Sequence, residues 1–382
     1  FETERQALAL MDHPGIARVY DAGSTDRGRP YFVMEFVSGI PITDYCDRHR
    51  LGNRERLRLF GEVCHAVQHA HQKGIIHRDL KPSNVLVSIQ DGKPVPKIID
   101  FGVAKATAQR LTEKTVFTEL GVFIGTPEYM SPEQAEMTEQ DVDTRTDVYS
   151  LGVMLYELLV GALPFDSKEL RSGGYEGIRR KIREEDPPRP STRLSTLGDR
   201  STKSAKLRHV DLSTLQRQLR GDLDWITMKA LEKDRTRRYG SPSDLAEDIE
   251  RHLRYEPVLA GPPSAAYRVR KFVRRHRLGV LAAALVLLAM GLGLAGTSIG
   301  MVRALRAERQ AQREAVTAQQ VSTFLTELFD ANRPSVARGE TVTVRSMLDR
   351  GAERIGTQLA DQPLVKARLL EVMGRAYQSL SL

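Results

Sequence analysis

Asp79, Lys81 and Asn84 lie within six residues of one another in His77-Arg78-Asp79-Leu80-Lys81-Pro82-Ser83-Asn84-Val85-Leu86, and Asp100 follows sixteen residues after Asn84 in Asp100-Phe101-Gly102. A carboxylate, an ammonium group, a neutral oxygen donor and a second carboxylate are what phosphoryl transfer asks of a protein. One carboxylate orients the attacking hydroxyl, the cation meets the transferring group, and oxygen acceptors hold magnesium against the phosphate oxygens. No competing chemistry is indicated elsewhere. The two cysteines, Cys46 and Cys64, show neither CxxC nor Cys/His ligand spacing, which argues against a disulfide framework or a zinc site and fits a reducing compartment. His65, His69 and His71 recur on one predicted helix but lack an adjacent Asp, Glu or Cys set, so they are read as surface or packing residues.

The series resembles the eukaryotic-type (Hanks-type) protein kinase family, through an H-R-D-L-x-x-x-N catalytic loop followed by D-F-G. Gly125-Thr126-Pro127-Glu128-Tyr129-Met130-Ser131-Pro132-Glu133 follows at the activation-segment position, with Ser131 replacing the Ala of A-P-E, and Asp147-Val148-Tyr149-Ser150-Leu151-Gly152 resembles the buried helix that anchors the catalytic loop. The resemblance covers about residues 1–255. It implies Asp79 as catalytic base, Lys81 as the contact to the γ-phosphate, and Asn84 and Asp100 as ligands of Mg2+, with Mn2+ as the alternative. Lys81 two residues after Asp79 is the pattern of the serine/threonine branch, so ATP and protein hydroxyls are the implied substrates. By the same analogy Glu4 is the helix glutamate that pairs with the ATP-binding lysine, Glu35 to Val37 form the hinge for adenine with Met34 as gatekeeper, and Leu86 lies under the ring. Leu8, Val19, His77 and Phe101 would stack between the lobes, Glu133 would pair with Arg238, and Asp147 would anchor the loop. Arg78 before Asp79 implies control by phosphorylation, at Thr118 first and Thr115 second.

The family places a glycine-rich loop and a lysine ahead of the position of Glu4, and neither is found in this chain. The chain is therefore expected to be a fragment lacking its first strands, inactive by itself, of an active kinase. The competing reading is a non-catalytic pseudokinase receptor or scaffold in which Asp79, Asn84 and Asp100 survive as polar anchors.

The positioning elements are expected to be strands first and helices later, an α+β arrangement with a partial N-lobe and a mainly α C-lobe. Ile16 to Asp21 and Arg29 to Val37 read as a hairpin, and strands around Val85 and Ile98 flank the turn dipeptide Asp91-Gly92. Leu57 to Lys73 places Leu57, Phe60, Cys64, Val67 and His71 at helical spacing, Val148 to Val160 is a strongly apolar helix stopped by Gly161, and Leu223 to Leu231 and Asp244 to Leu253 follow. Pro187 to Arg220, rich in Pro, Ser, Thr and Arg, reads as a mobile insert.

At 382 residues the chain has room for two domains and a connection. Its net charge of +8 is not spread evenly: residues 1–263 hold 39 basic against 40 acidic residues, while Tyr267 to Arg277 carry six basic residues and no acid. The excess borders Leu278 to Val302, 25 residues without a charged side chain, His, Asn or Gln, long enough as a helix to cross a bilayer. That position excludes a signal peptide, and it argues against nucleic acid as partner, since the basic run would meet anionic headgroups. The denser positive charge before the span places the N-terminal side in the cytoplasm by the positive-inside rule. Gly296 to Gly300 forms a G-x-x-x-G, a candidate homodimer face. Leu370, Met373, Gly374 and Tyr377 resemble the core of a tetratricopeptide first helix. The expected organisation is a kinase domain over 1–255, a basic linker over 256–277, a transmembrane helix over 278–302 and a helical, extracytoplasmic region over 303–382 that meets a protein or ligand partner. The whole resembles single-pass inner-membrane serine/threonine kinases of bacteria.

Overall fold

The computed structural model describes residues 11–26, 30–101, 126–136, 143–330, 343–358 and 363–379. Strands β1 (Val19–Ser24) and β2 (Pro30–Met34) pair antiparallel. A second sheet has the order β3-β4-β5, from β3 (Ile40–Pro41), β4 (Val85–Gln90) and β5 (Lys93–Ile98). Asp91 and Gly92 join the last two with φ of 49° and 76°, the doubly left-handed turn whose twist matches that of the strands it connects. Ile16 belongs to no hairpin strand. It bridges Ile98 instead, with Ala17 N–H donating to Ile98 O and Ile98 N–H to Gly15 O, both at 2.9 Å, and this pinning delays the start of β1 to Val19.

Helices α1 (Ile42–Arg48), α2 (Asn53–Gln72), α3 (Pro132–Glu136) and α4 (Arg145–Val160) follow. Every residue of α4 from Thr146 to Tyr156 is buried, which is why its sequence is apolar all round rather than on one stripe. Gly161 ends it at φ 77°, its N–H closing on Glu157 O at 2.7 Å. Around α4 lie α5 (Ser167–Ser172), α6 (Gly174–Glu184), α7 (Pro190–Thr196), α8 (Asp199–Leu207), α9 (Leu212–Leu219), α10 (Asp222–Ala230) and α11 (Pro242–Leu253), and α12 (Ala265–Arg275) is the last helix of this part.

The stretch Pro187 to Arg220 is not the mobile insert its composition suggests. It folds as α7, α8 and α9, with Leu194, Leu215 and Leu219 fully buried. Its buried polar residues bond to neighbouring elements as well as to one another. Ser191 gives its N–H and Oγ–H to the buried Asp224 carboxylate at 2.9 and 2.7 Å, and Arg208 donates to Ser204 O and Leu158 O, both at 2.7 Å.

The chain divides into two compact units, Phe1–Arg277 and Leu278–Leu382. In the second, α13 (Arg277–Asp330) runs for 54 residues, and its apolar stretch, with mean hydropathy 2.5 and none of it buried, is long and apolar enough to cross a membrane. Helices α14 (Val344–Gln358) and α15 (Pro363–Ser379) pack with it through Ile355, Val365, Leu369 and Met373 against Val321, Phe324 and Leu325. Of the tetratricopeptide-like positions, Met373 and Tyr377 join this cluster, whereas Leu370 is 45% exposed and Leu369 takes the inward place.

If α7–α9 belong to the core, Leu194→Ala and Leu215→Ala should each lower the unfolding free energy by about 2–5 kcal/mol. Ser195→Ala, on the exposed side of α7, should change it by less than about 0.5 kcal/mol. Urea unfolding followed by the fluorescence of Trp225, the one tryptophan, checks this; equal, near-zero effects at all three sites would restore the insert.

Candidate active site

Between α2 and β4 the chain makes a tight excursion ending in a 3₁₀ turn over Pro82–Asn84, and the expected chemistry collects there. Lys81 Nζ donates to Asp79 Oδ2 at 2.8 Å. Asn84 Nδ2 donates to Asp79 O at 2.9 Å and Asp79 Oδ2 at 3.3 Å. Asp79 and Lys81 keep about a fifth of their side-chain surface open, 19% and 22%, so the pair is held yet reachable. Asp100 arrives from the other side: Ile99 N–H donates to Asn84 O at 2.9 Å, tying the end of β5 to the turn, and Asp100 follows, exposed, with a left-handed φ of 59°.

Asp147, at the start of α4, sets the approach to this loop. It is fully buried; Oδ2 accepts from His77 N–H at 2.8 Å and His71 Nε2–H at 2.7 Å, and Oδ1 accepts from Arg78 N–H at 2.9 Å. Two successive amides can reach one carboxylate only on a bent backbone, and Arg78 supplies the bend with φ 64°, a conformation that costs a non-glycine residue about 1–3 kcal/mol unless its surroundings hold it. Gln134 Nε2 bonds Arg78 O at 2.8 Å from the far side. Burial alone would push the Asp147 carboxyl up, but the His71 hydrogen bond and the His71 and His77 charges outweigh it and hold it below the usual range. His77 is itself buried, which lowers its basicity, and its ring packs on Phe101 with centroids 4.6 Å apart.

A second ion pair fixes the segment after the turn at Pro127–Tyr129. Glu133 and Arg238 bond through both oxygens, at 2.6 and 2.8 Å, and Thr146 Oγ1 adds 2.9 Å to Glu133. Arg238 spends its remaining donors on the carbonyls of Arg145, Glu232 and Lys233. Burial raises the Glu133 carboxyl, yet the guanidinium more than offsets it and keeps the acid ionised.

At the expected hinge, Glu35 N–H donates to Arg18 O at 2.8 Å, while the Glu35 side chain pairs with the buried Lys97, whose hydrogen bond holds the carboxyl down. Val37 and Leu86 are half-buried and Met34 is 37% exposed. Glu4, Leu8, Thr115 and Thr118 lie outside the described residues.

Three contributors escaped the sequence reading: His71, Lys97 and Gln134. His71 has an acidic partner after all, Asp147, but 76 residues away; the available signal was its place on the buried side of α2. Gln134 and Lys97 carry no pattern a linear reading could use.

Asn84 and Asp100 suit a hard divalent cation. Asn84 commits its NH₂ to Asp79, which leaves Oδ1 as the acceptor end, and Asp100 offers an exposed carboxylate. Among the described residues no group of three or more His, Cys, Asp or Glu comes together, so such an ion would take further oxygens from a phosphate ligand, as Mg2+ commonly does.

The protein kinase domain profile matches residues 1–248, and the chain belongs to the protein kinase family. Among curated relatives, it is 34% identical over 273 residues to the serine/threonine-protein kinase PknB of Mycobacterium leprae (strain TN), covering 70% of this chain and 37% of that one. It is 35% identical over 264 residues to the PknB of Mycobacterium tuberculosis (strain ATCC 25177 / H37Ra), covering 68% and 37%. Against the solved PknI kinase domain of Mycobacterium tuberculosis the TM-score is 0.44 at 26% identity, over 65% of this chain and 77% of that one. The chain thus spans somewhat over a third of the length of these PknB relatives.

Removing one partner of a buried pair strands the other, so Glu133→Gln should destabilise the first unit by about 3–5 kcal/mol at neutral pH. Because the Glu133 carboxyl is depressed in the folded state, its contribution is complete above the ordinary carboxylate range and is lost as pH falls through the folded value. Urea titrations at pH 7 and toward about pH 3 should therefore show the gap between wild type and Glu133→Gln closing with acid. A gap that stays constant with pH would exclude an ionised Glu133 as its source.

Proposed function

We propose that this protein is an ATP-dependent serine/threonine protein kinase, anchored in a membrane by α13 with the kinase unit on the cytoplasmic side. The observation that carries the reading is the Asp79 carboxylate, bonded by Lys81 and Asn84 on a loop whose entry Asp147 grips. Similarity to the PknB kinases, whose name specifies the serine/threonine class, supports the choice of acceptor.

Asp79 orients the protein hydroxyl and takes its proton as oxygen bonds to the γ-phosphorus and the bridging bond to ADP breaks. Lys81 meets the charge on the transferring group. Asn84 and Asp100 would hold Mg2+, or Mn2+, which would neutralise phosphate charge when bound. The Glu35 to Val37 backbone and Leu86 receive adenine, and Glu4 belongs to the ATP-binding end. A phosphothreonine at Thr118, or at Thr115, would pair with Arg78 and order the activation segment. The domain limits follow the sequence: kinase 1–255, linker 256–277, span 278–302 and distal tetratricopeptide-like region 303–382. The last would meet a protein or ligand partner, and Gly296 and Gly300 would bring two copies together.

The test is transfer of labelled phosphate from ATP to protein, using the chain joined to whatever coding sequence lies in frame ahead of Phe1. Phosphoserine or phosphothreonine should form, and Asp79→Asn should slow transfer by about 10²–10⁴-fold, the usual share of a positioned base. Transfer unchanged by Asp79→Asn would remove the assignment, and no transfer by the wild type would leave the scaffold reading in its place. Phosphopeptide maps of active protein should show Thr118 or Thr115 modified; finding both unmodified removes that part.

A further inference from the structure

Helix α12 packs on its own domain through polar side chains and leaves its apolar ones outside. Tyr267 OH donates to Asp222 Oδ1 at 2.8 Å and accepts from Val258 N–H at 3.1 Å, and its ring meets Trp225 edge-on at 5.5 Å. Lys271 pairs with Asp222, Arg275 reaches Glu256 at 2.9 Å, and Arg274 lies over the Tyr255 ring at 4.6 Å. His252 on α11 completes the Asp222 cluster at 2.8 Å. With roughly 100° between successive residues, Tyr267, Lys271 and Arg274 share one side of the helix, and Val269, Phe272 and Val273 share the other, with Arg268 and Arg270 along its two borders. Val269 and Phe272 are 60% and 59% exposed and Val273 is 41% exposed. Val269 and Phe272 also line a cleft of about 370 Å³ with Tyr255, Pro257 and Arg268.

A helix that docks by its charges and displays a Phe/Val stripe between arginines has the amphipathic plan of a segment lying in a bilayer interface. Charge selects the occupant: Tyr267 to Arg277 hold six basic residues and no acid, and Arg268, Arg270 and Arg277 are not among those that bond the domain above. A second copy would bring like charges together, and nucleic acid would leave the apolar stripe in water. Covalent continuity selects it too, because α13, the apolar helix, begins at Arg277, two residues after α12 ends.

We propose that the outer face of α12 is a binding surface for anionic lipid, with Val269, Phe272 and Val273 in the headgroup–acyl boundary and Arg268 and Arg270 on acidic headgroups. The inference rests on the reading of α13 as a membrane span. Asp222 acts as the positioning residue, since its bonds to Tyr267 and Lys271 hold the opposite side of α12 to the domain.

The test uses the full chain at one copy per nanodisc, with a thiol-reactive fluorophore at Val269→Cys, Val273→Cys or, as control, Leu288→Cys; the native Cys46 and Cys64 are buried. In discs containing phosphatidylglycerol, brominated acyl chains should quench the probes at 269 and 273 while aqueous iodide does not. Pure phosphatidylcholine should weaken that pattern, and Arg268→Gln and Arg270→Gln should each lower the ratio of lipid-facing to water-facing probe about fivefold. Lipid quenching at 288 with iodide quenching at 269 and 273 in both lipids would overturn the inference and leave the span standing. Absence of lipid quenching at 288 would remove the span and the inference with it. Protection at 269 and 273 that appears only when several chains share a bilayer would assign the face to a second copy and also overturn it.

Discussion

The Asp147 carboxylate is the constraint on which the site depends. A charge buried this fully is tolerated only when its lone pairs are occupied, and here two consecutive backbone amides and the His71 ring occupy them. The geometry works in both directions. The amides stabilise the ionised acid, and the acid holds Arg78 in a left-handed conformation that an unrestrained arginine would leave. Asp79 comes one residue later, so its direction is set by a bend that local preference alone would not maintain. The apolar burial of α4 completes the arrangement, because a carboxylate can serve as a fixed point only if the helix bearing it cannot shift.

The same device recurs away from the loop. Asp224 takes the N–H and hydroxyl of Ser191, Asp248 takes Tyr239 OH with the amides of Leu259 and Ala260, and Asp222 takes Tyr267, Lys271 and His252. Each is an acid less than a tenth exposed; the partners of Asp224 and Asp222 lie 30 or more residues away, those of Asp248 9 to 12. Hydrophobic burial is non-directional and would accept many alignments of these helices. Charged hydrogen bonds that are costly to leave unmade select one of them.

That division of labour explains what could be read from the sequence. Elements with a periodic apolar signal or a turn dipeptide, such as α2, α4 and the β4–β5 hairpin, were legible, and so was the spacing of Asp79, Lys81, Asn84 and Asp100. The segment from Pro187 to Arg220 was not, because its core contacts rest on a few leucines and its buried polar residues find partners elsewhere in the chain, at Asp224 and Leu158, so composition alone resembles an unstructured linker. His71 was misjudged for a related reason. Its carboxylate partner is near only once α2 and α4 have packed, and no local spacing encodes that meeting. In α15, Leu369 and Leu370 are chemically alike, and the helix phase decides which of them is inside.

The acidic anchors also join the two ends of the first unit. Asp222 is bonded to His252 on α11; Ser243, on the same helix, donates its N–H to Gln68 on α2 at 3.4 Å; and α2 ends beside His71, which holds Asp147. The steps between helices are hydrogen bonds, and the last, between Asp147 and the amides of His77 and Arg78, reaches the loop itself. These contacts link α12, through α10, α11 and α2, to the helix that carries Asp147. If the outer face of α12 lies on a lipid surface as proposed, the contacts from Asp222 through α11 and α2 would connect that surface to the loop that carries Asp79.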